Sequence, residues 1–161
     1  MFHEESIYIR ILLQKIPPPR NVLDIGSSTL KFRTIIQPYI DKNIFQPLRD
    51  KGVKIFHLDV KSGTGIDIVA DVSNKNFFST QKYDLVMCNN LLEHVLDLKT
   101  TILNISSIVA KGGYLLITVP LTYPYHPDPI DNLSRFTPQE LSRLFSPLSF
   151  QKLYSCIIYP R

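Results

Sequence analysis

Short apolar segments that alternate with helix-like segments are the feature that most constrains the fold of this chain. Segments this apolar are typical of strands whose two faces are both buried, and a parallel sheet flanked by helices buries its strands in that way. The pattern therefore predicts an α/β fold with a doubly wound, mostly parallel sheet and helices on both faces. The predicted strands are residues 22–25, 53–58, 66–69, 83–88, 114–119 and 150–159.

Helix signals occupy the segments between and around these strands. Residues 4–15 carry an apolar face and precede three consecutive prolines, which end a helix because proline lacks the amide donor. Further helices are predicted from Thr29 toward Tyr39, over residues 98–110, and from Thr137, where a capping sequence begins. The first helix carries apolar side chains at Ile7, Tyr8, Ile11 and Leu12, whose spacing suits one face of a short helix.

Length and composition restrict the class of protein. A chain of 161 residues fits one domain, in which we expect an N-terminal helix and proline link (1–20), a core (21–120), a loop (121–137), and a final helix and strand (138–161). Two cysteines are too few for a disulfide framework or a zinc cluster, and no metal site is expected. No apolar run approaches the ~20 residues of a membrane span, and the N-terminus lacks a signal-peptide pattern, so a cytoplasmic location is expected.

Polar residues follow the predicted strands at the point where each strand ends. Ligands of open α/β sheets bind beyond this carboxyl edge. Gly26 would let the backbone approach a ligand closely, and Asp59 is placed to accept hydrogen bonds from ribose hydroxyls. The chain has neither G-x-G-x-x-G nor G-x-x-x-x-G-K-[ST], so we expect a nucleoside site without a tightly held pyrophosphate. The residues concerned are Asp24, Gly26, Ser27, Ser28, Asp59, Asp71, Asn89 and Asn90.

Three longer segments carry a more specific pattern. They read VLDIG at residues 22–26, YDLVMCNNLLEHV at 83–95 and KGGYLLITVP at 111–120. Together with Asp59 and Asp71 between them, these segments resemble the class I S-adenosylmethionine-dependent methyltransferases, in particular the small type-11 group. The resemblance implies a single-domain, Rossmann-like fold with S-adenosylmethionine as cofactor and S-adenosylhomocysteine as product.

The resemblance also implies a cofactor site, position by position. Asp59 would bind the ribose hydroxyls, with Val60 against the adenine. Asp71 would bind the adenine amino group beside the backbone of Val72, and the carbonyl of Asn89 would accept from the methionine ammonium group. The other cofactor-binding residues would be Asp24, Gly26, Ser27, Ser28, Asn90 and Leu91, of which Gly26 and its neighbours would face the methionine part.

A proline-rich loop follows residue 120, and long loops at strand ends are often functional. Its sequence YPYHPDPIDNLSRFT, at 123–137, resembles the Tyr-Pro-x-His-x-Asp-Pro…Arg-Phe-Thr segment of type-11 enzymes in sugar and glycan pathways. His126 would be the general base, with Asp128 or Asp131 orienting its ring. The alternative interpretation is a loop locked by an Asp–Arg ion pair around a buried histidine. The residues expected to bind the acceptor are Tyr123, Tyr125, Asp131 and Arg135.

The activity predicted on these grounds is transfer of a methyl group to a small-molecule polar acceptor, by O-methylation of a sugar or glycan precursor. One alternative is a nucleic-acid or protein methyltransferase, although a net charge of +4 without a dense basic stripe makes nucleic acid an unexpected partner. Another is a non-catalytic cofactor-binding or scaffold protein, because Ser28 and Leu30 stand where the family's D-x-G-x-G-x-G turn has glycines.

Several other residues are expected to be structural. Cys88 should lie in the core, Asp84 at the opposite edge of the sheet, and His94 in a supporting role, while His57 carries no functional signal. In the family the sheet usually closes with a hairpin of two strands, whereas residues 150–159 leave room for one. We therefore expect a sheet trimmed at this end, with an exposed edge that could pair in a homodimer.

Overall fold

A computed structural model describes residues 1–77, 79–127 and 130–159, and these residues form one five-stranded sheet. Its strands are β1 (Asn21–Ile25), β2 (Lys54–Asp59), β3 (Ile68–Val69), β4 (Tyr83–Asn89) and β5 (Val109–Thr118). Neighbouring strands all run parallel, in the order β3-β2-β1-β4-β5. The predicted α/β fold with a Rossmann-like parallel sheet is confirmed.

Helices surround this sheet. They are α1 (His3–Leu13), α2 (Pro38–Ile40), α3 (Gln46–Arg49), α4 (Leu98–Ser107) and α5 (Pro138–Phe145). Two π-helical segments, Phe32–Ile36 and Asp41–Phe45, adjoin α2 and α3, and two 3₁₀ turns lie at Leu92–His94 and Ser146–Leu148.

Alternate residues of β4 pack into two separate cores. Leu85 and Met87 belong to a cluster with apolar side chains of α1, α2, α3 and the second π-helical segment. Val86 and Cys88 belong to a cluster with side chains of α4 and α5. Because successive side chains of a strand point to opposite faces of the sheet, the apolar run at residues 85–88 within β4 reflects helices on both faces. Cys88 is buried in the core, as predicted.

The first helix forms as predicted, and its buried face includes polar side chains. Helix α1 buries Glu5, Ser6 and Ile9, whereas the apolar residues Ile7, Tyr8, Ile11 and Leu12 are half-buried or exposed. Glu5 and Ser6 can be buried because both find hydrogen-bond partners in the interior. The amide of Asn90 donates to Glu5 at 2.8 Å, and the amide of Asn43 donates to the Ser6 hydroxyl at 2.8 Å.

The helical region after β1 is longer and less regular than predicted. The Thr29 hydroxyl accepts a hydrogen bond from the Phe32 amide at 3.3 Å, as expected of a residue at a helix start. Helical structure then continues in short pieces to Arg49 instead of ending near Tyr39. Pro38 explains the first interruption, because it offers no amide for the regular hydrogen-bond ladder.

The connection between α4 and β5 also differs from the prediction. Helix α4 ends at Ser107, so the helix predicted to reach residue 110 is shorter, and β5 begins at Val109, before the predicted turn. The turn is instead an irregularity within the strand, since Tyr83 pairs with Val109 while Leu85 pairs with Tyr114. Gly112, with φ of +75°, adopts the left-handed conformation that this irregularity requires.

One predicted strand is shorter than expected, and another does not form. The segment expected at 66–69 is reduced to the two residues Ile68–Val69. The strand expected at 150–159 does not form, and this described segment has no regular secondary structure. Its apolar side chains are largely exposed, including Tyr154 and Tyr159, at 52% and 77%. An apolar sequence alone cannot supply the neighbouring strand that a ladder of hydrogen bonds needs.

Candidate functional site

The carboxyl ends of β1, β2 and β4 meet at one edge of the sheet. Ile25 is in register with Leu58 on β2 and with Cys88 on β4, so the residues that follow these strands lie side by side. All of the residues predicted to bind the cofactor line one large cleft, which extends from this edge along β5 to Gly112 and to the segment 148–159. They are Asp24, Gly26, Ser27, Ser28, Asp59, Val60, Asp71, Val72, Asn89, Asn90 and Leu91. Their individual roles remain predictions.

The turn after β1 brings backbone into this cleft. Gly26 has φ of +70°, and Ser28 also adopts a left-handed conformation, with φ of +55°. The amides of Gly26 and Ser27 both donate to the carbonyl of Leu58, at 2.9 and 3.1 Å. A Cβ atom added at Gly26 would lie 3.1 Å from the Leu91 side chain. The left-handed conformation therefore favours glycine here, and a larger residue would also require the Leu91 side chain to shift.

Arg33 holds the same turn through hydrogen bonds to its backbone, a role that no local sequence pattern indicates. Its guanidinium is buried and donates to the carbonyls of Ser27 and Ser28, and to the carbonyl of Gly65 at 2.8 Å. Burial lowers the pKa of Arg33, and the charge of Asp24 partly offsets this effect. Arg33 thus joins the β1 turn to the loop after β2, at a turn that lacks two of the family's glycines.

Carboxylates stand at the two positions predicted to bind the nucleoside. Asp59, the last residue of β2, accepts from the amides of Ser28 at 2.8 Å and Lys61 at 3.0 Å. Asp71 accepts from the amide of Ser73 at 2.8 Å and from its hydroxyl at 2.6 Å. These bonds orient both carboxylates, and each oxygen can accept more than one hydrogen bond.

His57 has a partner that the sequence did not indicate. Its Nδ1 lies 3.1 Å from Oδ2 of Asp24, and both side chains are nearly buried. The ring also packs edge-on against Phe45, with 4.8 Å between centroids. His57 and Asp24 are in register on neighbouring strands, so the contact follows from the pairing of β1 with β2.

Glu5 of α1 reaches the ends of two strands, which the sequence also did not indicate. Its carboxylate accepts from the Asn90 amide group at 2.8 Å, from the Thr118 hydroxyl at 2.6 Å, and from the backbone amide of Phe2 at 3.3 Å. The Thr118 hydroxyl also lies 3.4 Å from the side-chain oxygen of Asn89. The N-terminal helix is therefore fastened to the carboxyl ends of β4 and β5, beside the cleft.

Asp131 organises the loop that follows β5. Its buried carboxylate pairs with both terminal nitrogens of the Arg135 guanidinium, at 2.7 and 3.1 Å. It also accepts from the backbone amides of His126 and Leu133, at 3.0 and 2.9 Å. The Arg135 guanidinium and these amides hold the pKa of Asp131 well below its usual range. The Asp–Arg pair of the locked-loop alternative is therefore present, and contact of either residue with an acceptor stays a prediction.

His126 is not the buried histidine of that alternative. Its side chain is 33% exposed and lines the cleft, while Nδ1 lies 3.0 Å from the Pro124 carbonyl and 3.2 Å from Asp131. Tyr123 also lines the cleft and packs edge-on against the imidazole, with centroids 4.5 Å apart. Tyr125 is 65% exposed. Asp128, predicted to be catalytic, lies outside the described residues.

A second histidine and a buried carboxylate lie beside His126. The rings of His94 and His126 meet edge-on, with centroids 5.0 Å apart. Nδ1 of His94 lies 2.6 Å from the carbonyl of Ile130, which places this residue in contact with the loop. Glu93 is 1% exposed, and burial raises the pKa of its carboxyl group. The side-chain amide of Asn132 donates to the backbone around Glu93 and further secures the loop.

Comparison with known proteins identifies the family. Over residues 5–155 the sequence matches the family described as a methyltransferase domain. The chain belongs to this family. The predicted membership of the class I S-adenosylmethionine-dependent methyltransferases is thereby confirmed, and with it the predicted enzyme class.

This methyltransferase domain spans only a small part of a curated relative. It is 28% identical over 143 residues to the highly reducing polyketide synthase GPY1 of Gibberella fujikuroi (strain CBS 195.34 / IMI 58289 / NRRL A-6831). The match covers 72% of this chain and 5% of the synthase. In the part of the chain that the structure describes, no helix has the length and apolar composition needed to cross a membrane.

Solved structures share the fold of the methyltransferase domain. The CurJ carbon methyltransferase matches with a TM-score of 0.61 at 17% identity, covering 91% of this chain and 46% of that one. TehB from Haemophilus influenzae matches with a TM-score of 0.57 at 17% identity, covering 86% and 49%. Coclaurine N-methyltransferase, bound to N-methylheliamine and S-adenosylhomocysteine, matches with a TM-score of 0.51 at 17% identity, covering 70% and 35%. This chain thus spans less than half of each structure.

S-adenosylmethionine is the cofactor of this methyltransferase domain, and the residues of the cleft fit it. Asp59, at the end of β2, offers a carboxylate that can accept hydrogen bonds from the hydroxyl groups of the cofactor. Gly26 presents backbone without a side chain at the turn after β1, where the ligand of such a sheet binds. Asn89, at the end of β4, completes the same edge.

Proposed function

We propose that this methyltransferase domain methylates an oxygen of a small polar acceptor, such as a sugar or glycan precursor. The observation that carries the proposal is the accessible imidazole of His126 in the cleft that also contains Asp59 and Asn89. Its ring is held by Asp131 and packed against Tyr123, so its position is fixed. An oriented imidazole on the acceptor side suits a hydroxyl group that must lose its proton.

The hydrogen bonds of His126 determine which nitrogen can act. The Pro124 carbonyl and the Asp131 carboxylate can only accept, so Nδ1 carries a hydrogen, and in the neutral imidazole Nε2 has the free lone pair. Bound S-adenosylmethionine supplies an electrophilic methyl group on a positively charged sulfur. The acceptor oxygen would bond to that methyl carbon while the carbon–sulfur bond breaks and S-adenosylhomocysteine leaves, and Nε2 of His126 would take the hydroxyl proton. A general base of this kind contributes about 10²–10⁴-fold.

The rest of the loop would shape the acceptor pocket. Tyr123 stands beside the imidazole, whereas Tyr125 is exposed and is not among the residues that line the cleft. Asp131 and Arg135 would act by keeping the loop in place, since each already bonds the other. On the cofactor side, Asp59 would bind the ribose hydroxyls and Asp71 the adenine amino group.

The proposal is tested by transfer of a labelled methyl group to a panel of sugars and glycan precursors. We expect turnover on at least one hydroxyl acceptor, and a loss of about 10²-fold or more in His126→Gln, with unchanged binding of S-adenosylhomocysteine. His3→Gln is the matched control, because His3 lies on the exposed surface of α1. A His126→Gln variant as active as wild type would remove the proposed base. Cofactor binding without turnover on any acceptor would favour the non-catalytic alternative.

A second candidate function is methylation at carbon. The similarity to the polyketide synthase GPY1 favours it, because polyketide intermediates contain carbons made acidic by neighbouring carbonyl groups. The same imidazole could take a proton from such a carbon. A β-ketoacyl thioester included in the acceptor panel separates the two candidates, since labelling at carbon or at oxygen is distinguished by mass spectrometry of the product.

The proposed partners extend beyond the acceptor. Strand β5 lies at the end of the described strand order and pairs only with β4 there, which keeps a homodimer among the predictions. A monomer in light scattering at high concentration would contradict it.

Cytoplasmic location is likewise a prediction. Strongly salt-dependent binding of nucleic acid would favour the alternative of a macromolecular substrate.

A further inference from the structure

Three potential metal ligands converge where the loop after β5 meets the turn after β4. Glu93, His94 and His126 each offer one ligand atom, and these atoms all lie within 4.8 Å of one another. All three residues line the cleft that contains the cofactor-binding positions. We propose that they form a binding site for one divalent transition-metal ion of the zinc class. The proposal that an ion binds depends on these three residues alone. The effect of the ion on an acceptor depends in addition on the proposed function.

Both imidazoles are held in the orientation that a metal ligand needs. Nδ1 of His94 lies 2.6 Å from the Ile130 carbonyl, and Nδ1 of His126 lies 3.0 Å from the Pro124 carbonyl. A carbonyl only accepts, so each Nδ1 carries the hydrogen and each Nε2 keeps its lone pair. Asp131 gives His126 a second acceptor, at 3.2 Å. Metal-binding histidines are typically held in this way, with the other ring nitrogen donating to a carbonyl or carboxylate.

The buried carboxylate of Glu93 is a second observation, independent of the ligand spacing, that favours a bound cation. It is 1% exposed, and its Oε2 has no hydrogen-bond partner among the described residues. Its Oε1 lies 3.9 Å from Nε2 of His94, too far for a hydrogen bond. Arg135, the cation of the neighbouring loop, is paired with Asp131 instead. One oxygen of this buried carboxylate therefore lacks a partner, which is unfavourable, and a bound cation would supply one.

The donor set indicates which cations fit. Two imidazoles and one carboxylate suit zinc and related ions, whereas magnesium and calcium prefer oxygen ligands throughout. Three protein ligands also leave a coordination position open, as in catalytic zinc sites. An acceptor hydroxyl at that position would have a lowered pKa and would release its proton to water. When the metal ion is bound, Nε2 of His126 is one of its ligands, and the ion activates the acceptor hydroxyl. The imidazole can take the hydroxyl proton itself only when no metal ion is bound.

The test is titration of the metal-free protein with Co²⁺, whose visible absorption reports its ligands, followed by competition with Zn²⁺. We expect one ion per chain in wild type. His126→Ala and Glu93→Gln should each weaken binding at least tenfold, and Glu93→Gln keeps the shape of the buried side chain. His3→Ala and Cys156→Ser are controls, because both residues are exposed and could bind Co²⁺ adventitiously.

Binding of S-adenosylhomocysteine, measured on the same samples, shows that each variant is folded. No saturable Co²⁺ binding by wild type, or equal binding by wild type, His126→Ala and Glu93→Gln, would overturn the metal site. Loss of the ion in Cys156→Ser would overturn it as well, by assigning the ion to the thiol. Metal binding without methylation of any hydroxyl acceptor would leave the site in place and remove the proposed function instead.

Discussion

The two sides of the cleft are built in different ways. On the side proposed to bind the cofactor, residues such as Gly26 and Asp59 are placed by the register of parallel strands, so a ladder of backbone hydrogen bonds fixes their positions. On the side proposed to bind the acceptor, an irregular loop is held by side chains, above all by the buried carboxylate of Asp131. Support on the first side is distributed over many backbone bonds, whereas on the second it comes from a few side chains, among which the Asp131 carboxylate accepts the most hydrogen bonds.

The largest effect should come from removing that group. In Asp131→Ala, the ion pair with Arg135 and the bond to the His126 amide are lost, and the loop no longer holds the imidazole in one position. We expect methyl transfer to fall by about 10²-fold, because small displacements of a reacting group have effects of this size. Binding of S-adenosylhomocysteine, measured by calorimetry, should be unchanged.

Equal weakening of cofactor binding in Asp131→Ala would contradict the separation of the two sides. Asp50→Ala provides a matched control, because Asp50 is an exposed carboxylate beyond the end of α3.

A smaller effect is expected where the cofactor side depends on one side chain. Arg33→Met fills the buried space but removes the donors to Ser27, Ser28 and Gly65. The unpaired carbonyls should lower the free energy of unfolding by about 2 kcal/mol, measured by urea denaturation. Cofactor affinity should fall as well, since the turn is less ordered. Full stability with full affinity in this variant would show that the strand register alone suffices.

The smallest of these effects should come from Asp59, because the backbone around it stays in register. Asp59→Asn removes the charge that would attract ribose hydroxyls, and we expect S-adenosylhomocysteine to bind about tenfold more weakly, or ~1.4 kcal/mol. Asp84→Asn is the control, since Asp84 lies at the amino end of β4, in an exposed ion pair with Arg20. Unchanged affinity in Asp59→Asn, measured by calorimetric titration, would remove its predicted role.

The sheet could be predicted from the sequence because its central strands are buried on both faces. An apolar run such as residues 85–88 in β4 is typical of a strand that is buried on both faces, as in a parallel sheet. The carboxyl ends of neighbouring parallel strands then lie at the same edge of the sheet. The positions of Asp59 and Asn89 at one edge follow from that step. Resemblance added the cofactor, which the strand pattern alone did not specify.

What the sequence did not reveal depends on contacts between distant residues. Glu5 is buried because Asn90 and Thr118 donate to it, and no pattern within α1 indicates those partners. The same holds for Arg33 and the carbonyl of Gly65. The strand expected at 150–159 failed for the converse reason, since its residues have strand-like character but no neighbouring strand.

The attachment of Glu5 also has a practical meaning for anyone who alters the beginning of the chain. Phe2, through its backbone amide, and Glu5 belong to the same set of hydrogen bonds that reaches Asn90 beside the cofactor positions. Deleting the first five residues would leave the Asn90 amide and the Thr118 hydroxyl without their acceptor, so the change would extend from the terminus to the cleft. An affinity tag placed directly before Phe2 would act on the same bonds.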